Sequence, residues 1–304
     1  MRKKLIYFIC VCIGSFTISC ETSMSNNSND NFLEIGNDKF MEGEYEDALK
    51  YYRSCSQELA SVILLNNMGS AYEQMGDLDS AEIYFRAAMV LDRFNTITIN
   101  NLAECLELKN DYSGALLHFN QAIQIDSNSV ILFSNRGELY LEMQQYQNAI
   151  ADFNMAISLN SSDPLAYNNR AELYEILGDY DAAIIDLDQA INLDSNYAVA
   201  YNNRGFLLKI LGNFEKSLSD YNKAIFIDSQ QGVFFLDRGV LHMEMGHMQE
   251  ACEDWLLAEK AGYDVADFQP LMDKYCKNEK CLSLIFMISE LYYKMFNSII
   301  NLCF

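Results

Sequence analysis

Basic residues are scarce in this chain. Of its 304 residues, 21 are Lys or Arg against 43 Asp or Glu, a formal net charge of −22. Neutralising phosphate needs clustered Lys and Arg, so nucleic acid is not an expected partner. Histidine is scarcer still: His118, His242 and His247 are the three, and no pair has an H-E-x-x-H or other ligand spacing. No strand pattern is evident, so no glycine-rich phosphate loop follows one. The many carboxylates keep helix periodicity and give paired-carboxylate chemistry no special support. These absences predict no enzyme, no cofactor and no metal. A long apolar run is also missing. Leu5 to Phe16 is too short to span a bilayer, and the apolar stretch from Leu282 to Phe304 is broken by Glu290 and Lys294.

Nine cysteines are present, yet they do not form a zinc-ligand pattern. Cys55 stands where other segments carry Ala88, Ala122 and Ala156, a small core position. Cys105 and Cys252 fall within helix patterns, and Cys276 with Cys281 could close a disulfide in an oxidising compartment. Cys10 and Cys12 belong to the N-terminus, where Arg2, Lys3 and Lys4 precede the apolar run and Thr17-Ile18-Ser19-Cys20 follows it. That order is a signal-peptide plan covering residues 1–19. Ser19-Cys20 resembles the bacterial lipoprotein cleavage box, although Thr17 stands where that family has Leu; ordinary secretory cleavage nearby is the alternative. The resemblance implies lipidation of Cys20, and multiple acyl chains give a stable anchor. Residues 20–31 then read as lipidated Cys and polar tether. Removing residues 1–19 takes away three basic residues and no acidic ones, lowering the net charge to −25.

What fills the rest is a repeat. Gly69, Ala103, Gly137, Ala171, Gly205 and Gly239 each lie 34 residues after the last, and Ala81, Ala115, Ala149, Ala183, Ser217 and Ala251 keep the same step. The first copy, with Gly36 and Ala48, is one residue short. Seven copies follow at 29–61, 62–95, 96–129, 130–163, 164–197, 198–231 and 232–265. A period of this size marks a solenoid, whose units bury their apolar faces only by stacking. In the fifth copy, Tyr167, Ala171 and Tyr174 share one helix face, Gly178-Asp179 breaks the helix, and Ala183, Leu187 and Ala190 share a face of the next.

This large–small–Tyr helix A, Gly turn and Ala–aromatic–Ala helix B resembles the tetratricopeptide repeat family. The resemblance implies an all-α, right-handed superhelix of about seven helical hairpins plus a capping helix, at 266–281. Two departures stand out. Asn110 and Gln144 replace the turn glycine, and Ser127, Ser161, Ser195 and Ser229 stand where the family has Pro, predicting a less sharp end to helix B.

Copies four to seven carry Arg136, Arg170, Arg204 and Arg238 before the small helix A residue, where earlier copies have Ile35, Met68 and Leu102. The same copies carry Asp152, Asp186, Asp220 and Asp254 on helix B, replacing Tyr51, Tyr84 and His118. Arg and Asp appear together, which points to structural ion pairs. Pairing within a copy satisfies all four arginines; pairing to the preceding copy would set Arg136 against His118.

The residue before each arginine recurs too: Asn67, Asn101, Asn135, Asn169 and Asn203, then Asp237. In the family resembled, this position faces the concave groove and its Asn side chains bond extended peptide backbone. An amide offers both donor and acceptor for that purpose. Beside it lie Glu104, Glu138 and Glu172, with Glu73, Glu107 and Glu175 a turn further, so the groove is expected to be acidic. The family's clamp for C-terminal carboxylates needs basic residues where this chain has Ile63, Ile97 and Glu104. A basic or neutral extended partner therefore fits, and the chain reads as a non-enzymatic protein-binding scaffold on the envelope of a Gram-negative-type bacterium, an outer-membrane lipoprotein. The alternative is a glycan-binding or uptake-associated outer-membrane lipoprotein, which predicts exposed aromatic platforms in the groove; Trp255 fills a core slot instead. Residues 282–304 form an amphipathic helical pattern with no assigned role.

Overall fold

The computed structural model describes residues 28–55 and 61–276. The signal segment, Cys20, most of the tether, Cys281 and the amphipathic stretch 282–304 lie outside the described residues. Regular structure within them is helical throughout and arranged as consecutive antiparallel pairs, an A helix followed by a B helix. The chain divides into two compact units between Leu91 and Asp92.

The first unit pairs α1 (Ser28–Met41) with α2 (Tyr45–Ser54), and α3 (Val62–Gln74) with α4 (Leu78–Leu91). The second pairs α5 (Thr96–Leu108) with α6 (Tyr112–Ile125), α7 (Val130–Glu142) with α8 (Tyr146–Leu159), and α9 (Pro164–Leu177) with α10 (Tyr180–Leu193). It continues with α11 (Ala198–Ile210) and α12 (Phe214–Ile227), then α13 (Gly232–Glu244) and α14 (Met248–Lys260). A short 3-10 turn, Ala266–Phe268, leads into α15 (Gln269–Tyr275).

The small helix A residue works by letting an aromatic ring lie across the helix backbone. A Cβ on Gly137 would meet Phe153 Cε1 at 2.6 Å, and one on Gly239 would meet Trp255 Nε1 at 2.6 Å. Both rings are fully buried. The fifth copy keeps Ala at this site, and its B-helix partner is the smaller Leu187, in the same core cluster. At Gly137 and Gly239 packing of this density leaves no room for an extra methyl, whereas the third copy holds Ala103 with the fully buried Phe119 in the same slot.

Each A helix turns into its B helix through one residue with positive φ. Gly fills that position at Gly76 and Gly178, whereas Asn110 (φ 62) and Gln144 (φ 57) adopt the same left-handed state. Gln has no local side-chain bond to ease it, so Gln144 holds about 1 kcal/mol of strain or more.

The B helices end more sharply than the missing prolines predict. Asp126, Asn160, Asp194 and Asp228 leave the helix in an extended conformation, with φ between −142 and −126. Each side chain accepts the backbone N–H two residues on, at 2.8–3.0 Å. An Asx turn therefore supplies the stop that proline would have given.

At the end of the second unit α15 folds back over α14. Met272, Trp255 and Val265 are buried there together, and Trp255 lies 5.3 Å from Phe268 between ring centres. This corrects the cysteine reading: Cys276 is bonded to Cys252, not to Cys281, with the two Cα atoms 5.5 Å apart. Apolar packing carries Cys276 onto helix α14, a proximity that sequence distance does not reveal. Cys55 and Cys105 are buried and take no part in a disulfide.

Candidate functional site

Residues four and seven positions along a helix share a face, and on the A helices that face repeats. It reads Ile97, Asn101, Glu104 on α5; Ile131, Asn135, Glu138 on α7; and Leu165, Asn169, Glu172 on α9. Copies six and seven continue with Val199, Asn203, Phe206 and with Val233, Asp237, Val240. In the first unit α3 carries Ile63, Asn67 and Ser70. At the head of the stripe Ile97 is 59% exposed and Ile131 46%, whereas Leu165, Val199 and Val233 are half buried. Sequence reasoning fixed on the Asn and Glu rows and missed this apolar row, although it too recurs every 34 residues.

The asparagines are half buried or buried, and amide hydrogens are used within the protein, both of them at Asn135 and one at each of Asn67, Asn169 and Asn203. Asn135 Nδ2 donates to Asn100 Oδ1 at 2.9 Å and to Glu104 Oε1. Asn169 donates to Glu138, Asn203 donates to Asn168 Oδ1 at 3.0 Å, and Asn67 donates to Asn37 Oδ1 at 2.7 Å. Every one of these bonds reaches back to the preceding copy. Asp237 has no N–H to give, so the polarity reverses and Asn202 Nδ2 donates to its Oδ2 at 2.8 Å. Asn101 holds the same register on α5, half buried, and Glu172 the same register as Glu138. The acceptors Asn100 and Asn168, with Asn66 and Asn202 in the same register, are buried. They went unremarked in the sequence, where the doubled Asn-Asn at 66–67, 100–101, 168–169 and 202–203 was the signal.

The consequence for chemistry is a change of character. Asn135, with both amide hydrogens committed internally, keeps only the accepting capacity of Oδ1, and a carboxylate can only accept. The A-helix face of copies three to five is thus rich in acceptors and suited to a ligand that brings donors.

Glu73 differs from its neighbours. Burial alone pushes its carboxyl up to about 8, and its Oε1 has no hydrogen-bond partner. At neutral pH it is mostly uncharged, so it adds little to the acidity of the face.

Behind that face runs the arginine row. Arg170 grips Asp186 with two bonds, Nε to Oδ2 and Nη2 to Oδ1, both 2.7 Å. Arg136 holds Asp152 and Arg204 holds Asp220 with the same two bonds at 2.7 Å, and Arg238 holds Asp254 likewise. The four aspartates are 3–6% exposed. These pairs are within a copy, 16 residues apart. The remaining Nη1 reaches to the preceding copy, where it meets Asn120, Asn154, Asp188 and Asn222 in turn at 2.6–2.7 Å. Each arginine therefore ties its own hairpin together and ties it to the one before. The hydrogen bonds they donate to aspartate raise Arg136, Arg170 and Arg204 above the ordinary guanidinium range, against the opposing effect of burial. An aromatic ring on the same helix, such as Tyr167 or Phe235, lies beside each guanidinium.

Elsewhere Trp255 is fully buried against Gly239. Among the described residues, no group of three or more His, Cys, Asp or Glu could hold a metal ion. Also among them, no helix is long and apolar enough to cross a membrane.

Sequence models described as tetratricopeptide or TPR repeat match residues 63–95, 108–144, 137–178, 164–197 and 198–231. This chain is built of tetratricopeptide repeats. The fold is shared with a tetratricopeptide repeat protein from Parabacteroides merdae, at TM-score 0.64 and 20% identity, covering 81% of this chain and 97% of that one. It is shared too with the pilF protein of Pseudomonas aeruginosa, at TM-score 0.56 and 19% identity, over 71% of this chain and 97% of that one. A thermophilic tetratricopeptide repeat protein of Thermus thermophilus matches at TM-score 0.55 and 16% identity, over 60% of this chain and all of that one. No curated protein matches the chain significantly. These likenesses establish the fold: paired helices stacked copy on copy.

Proposed function

We propose that this tetratricopeptide repeat protein is a non-enzymatic scaffold that holds an extended, basic or neutral polypeptide segment on its A-helix face. The observation that carries the reading is the direction of the asparagine bonds. Because Asn135, Asn169 and Asn203 donate to the copy before them, their carbonyl oxygens are left to accept from a ligand, with carboxylates alongside. A polypeptide backbone and basic side chains bring the matching N–H donors. The glycan-binding reading needs aromatic platforms on this face; among the described residues the exposed aromatics, Phe94, Phe226 and Tyr275, lie off the A helices.

The scaffold works tethered to the bacterial envelope through a lipid on Cys20. Supporting this are the signal-peptide plan and the Cys252–Cys276 bridge, a bond that persists in oxidising compartments. Two experiments test the reading. Pull-down from envelope extract is compared for wild type and an Asn135→Ala, Asn169→Ala, Asn203→Ala triple variant of unchanged helical content; loss of the partner supports the face, and equal retention discards it. Separately, Cys20→Ala should move the protein from the membrane fraction to the soluble one. Continued membrane association would place the anchor elsewhere.

A further inference from the structure

We propose that the face shared by α5, α7 and α9 binds a segment in a polyproline II-type conformation that advances three residues per repeat. On it, an aliphatic side chain sits on the row Ile97, Ile131, Leu165, and a Lys or Arg sits on the row Glu104, Glu138, Glu172. This rests on the peptide-binding reading above and specifies its ligand.

The spacing decides the conformation. Helix α7 touches both α5 and α9, and packed helices lie about 8–10 Å axis to axis. A polyproline II helix rises ~3.1 Å per residue with three residues per turn, so its equivalent side chains recur about every 9 Å. A β-strand returns to the same face after about 6.7 Å, and an α-helix after about 5.4 Å. Either would fall out of step with the repeats within one or two copies. The polyproline II backbone also makes no internal hydrogen bonds, so its N–H groups remain available to the outward asparagine oxygens.

The two flanking rows then fix the side chains. Ile97 and Ile131 are aliphatic residues held 59% and 46% exposed in a recurring register, and with the half-buried Leu165 they offer apolar surface that a ligand's aliphatic groups would cover. On the other side Glu104 and Glu138 are oriented by bonds from Asn135 and Asn169, so the carboxylates are positioned before any ligand arrives. The arginines of the same helices are engaged by Asp152 and Asp186. A cationic side chain between aliphatic ones is the complement, on a protein whose net charge is −22.

The test uses the full chain and fluorescence anisotropy with synthetic dye-labelled peptides of one composition. In the first, Ile recurs at every third position with Lys following it; in the second, the same residues are permuted so that Ile recurs at every second position; in the third, Glu replaces Lys. The first should bind about tenfold more tightly than the second, the scale set by burying one aliphatic side chain. The third should not bind, and added salt should weaken the first. Ile131→Ser with Leu165→Ser should abolish the preference for third-position spacing, and Glu138→Gln with Glu172→Gln should flatten the salt dependence, in proteins of unchanged helical content. Equal affinity for both spacings overturns the register while leaving an extended ligand on this face. Binding indifferent to all four substitutions overturns the face itself. No binding by any peptide overturns the proposed ligand class, with the pull-down then deciding the broader reading.

Discussion

Removing Arg170 should harm this protein more than removing the partner it holds. Asp186 is 4% exposed, and without the guanidinium its carboxylate is stranded in the helix packing. Breaking a buried pair by deleting one member costs about 3–5 kcal/mol, and Arg170→Ala belongs near the upper end. Asp186→Ala leaves a guanidinium whose side chain is 19% exposed and still bonded to Asn154. A long side chain can lean into water, which places this variant at about 3 kcal/mol or slightly less. The double variant should be milder than the sum, with a coupling of roughly 2–3 kcal/mol. Replacing both with apolar residues of similar volume should be nearly neutral. Urea unfolding followed by circular dichroism measures the four corners of the cycle. Solenoids unfold locally as well as globally, so hydrogen exchange in α9 and α10 supplies a second reading. A coupling under about 0.5 kcal/mol, or an Asp186→Ala variant weaker than Arg170→Ala, would refute the assignment of the pair.

The cap offers a second measurement. Cys276→Ser opens a loop spanning a sequence separation of 24 and should lower stability by about 3–4 kcal/mol on the chain-entropy account. Proteolysis near α15 should quicken equally in reduced wild type, and no change on reduction would show that packing alone holds the cap. Gln144→Gly should stabilise by about 0.5–1 kcal/mol, since the relieved left-handed strain exceeds the added freedom of the unfolded chain; a lower urea midpoint would contradict this. Glu73 predicts a pH effect. Its carboxyl is raised from an ordinary 4.5 to about 8, so the folded state holds a proton that the unfolded chain has released between those values. Stability contributed there is present below 4.5 and falls as pH rises to about 8. Glu73→Gln should flatten the urea midpoint across that window, and an unchanged slope would mean the carboxyl is not the source.

The hairpins were legible because their signal is local and repeated: a small residue meets a large one at a fixed offset, as Gly137 meets Phe153. The arginine row was half legible. Arg and Asp begin in the same copy, so their pairing shows in any comparison of copies. The third partner does not, because Asn120, Asn154, Asp188 and Asn222 run one copy ahead of the arginines they serve, and only the stacking brings them together. The asparagine ladder was half legible in a similar way. Its positions were visible, but which way an amide points depends on the neighbouring copy's Oδ1 and carboxylates. Cys276 lies beyond the last copy, and its meeting with Cys252 of the seventh follows from how α15 packs on Trp255. Proline's absence after the B helices misled for a chemical reason: an Asx turn does the same work with different residues.

The backward reach of each arginine bears on how long such a protein can be. Deleting Pro164–Tyr197 would bring Arg204 against Asn154 instead of Asp188, and Asn203 against Glu138 and Ser134, all able to accept the same bonds. Deleting residues 130–163 would set Arg170 against Asn120. Whole copies in this stretch are thus exchangeable parts, each carrying its own connector to whatever copy stands before it. An array made this way can gain or lose units by duplication or excision without orphaning a buried charge. The binding face lengthens or shortens in equal steps.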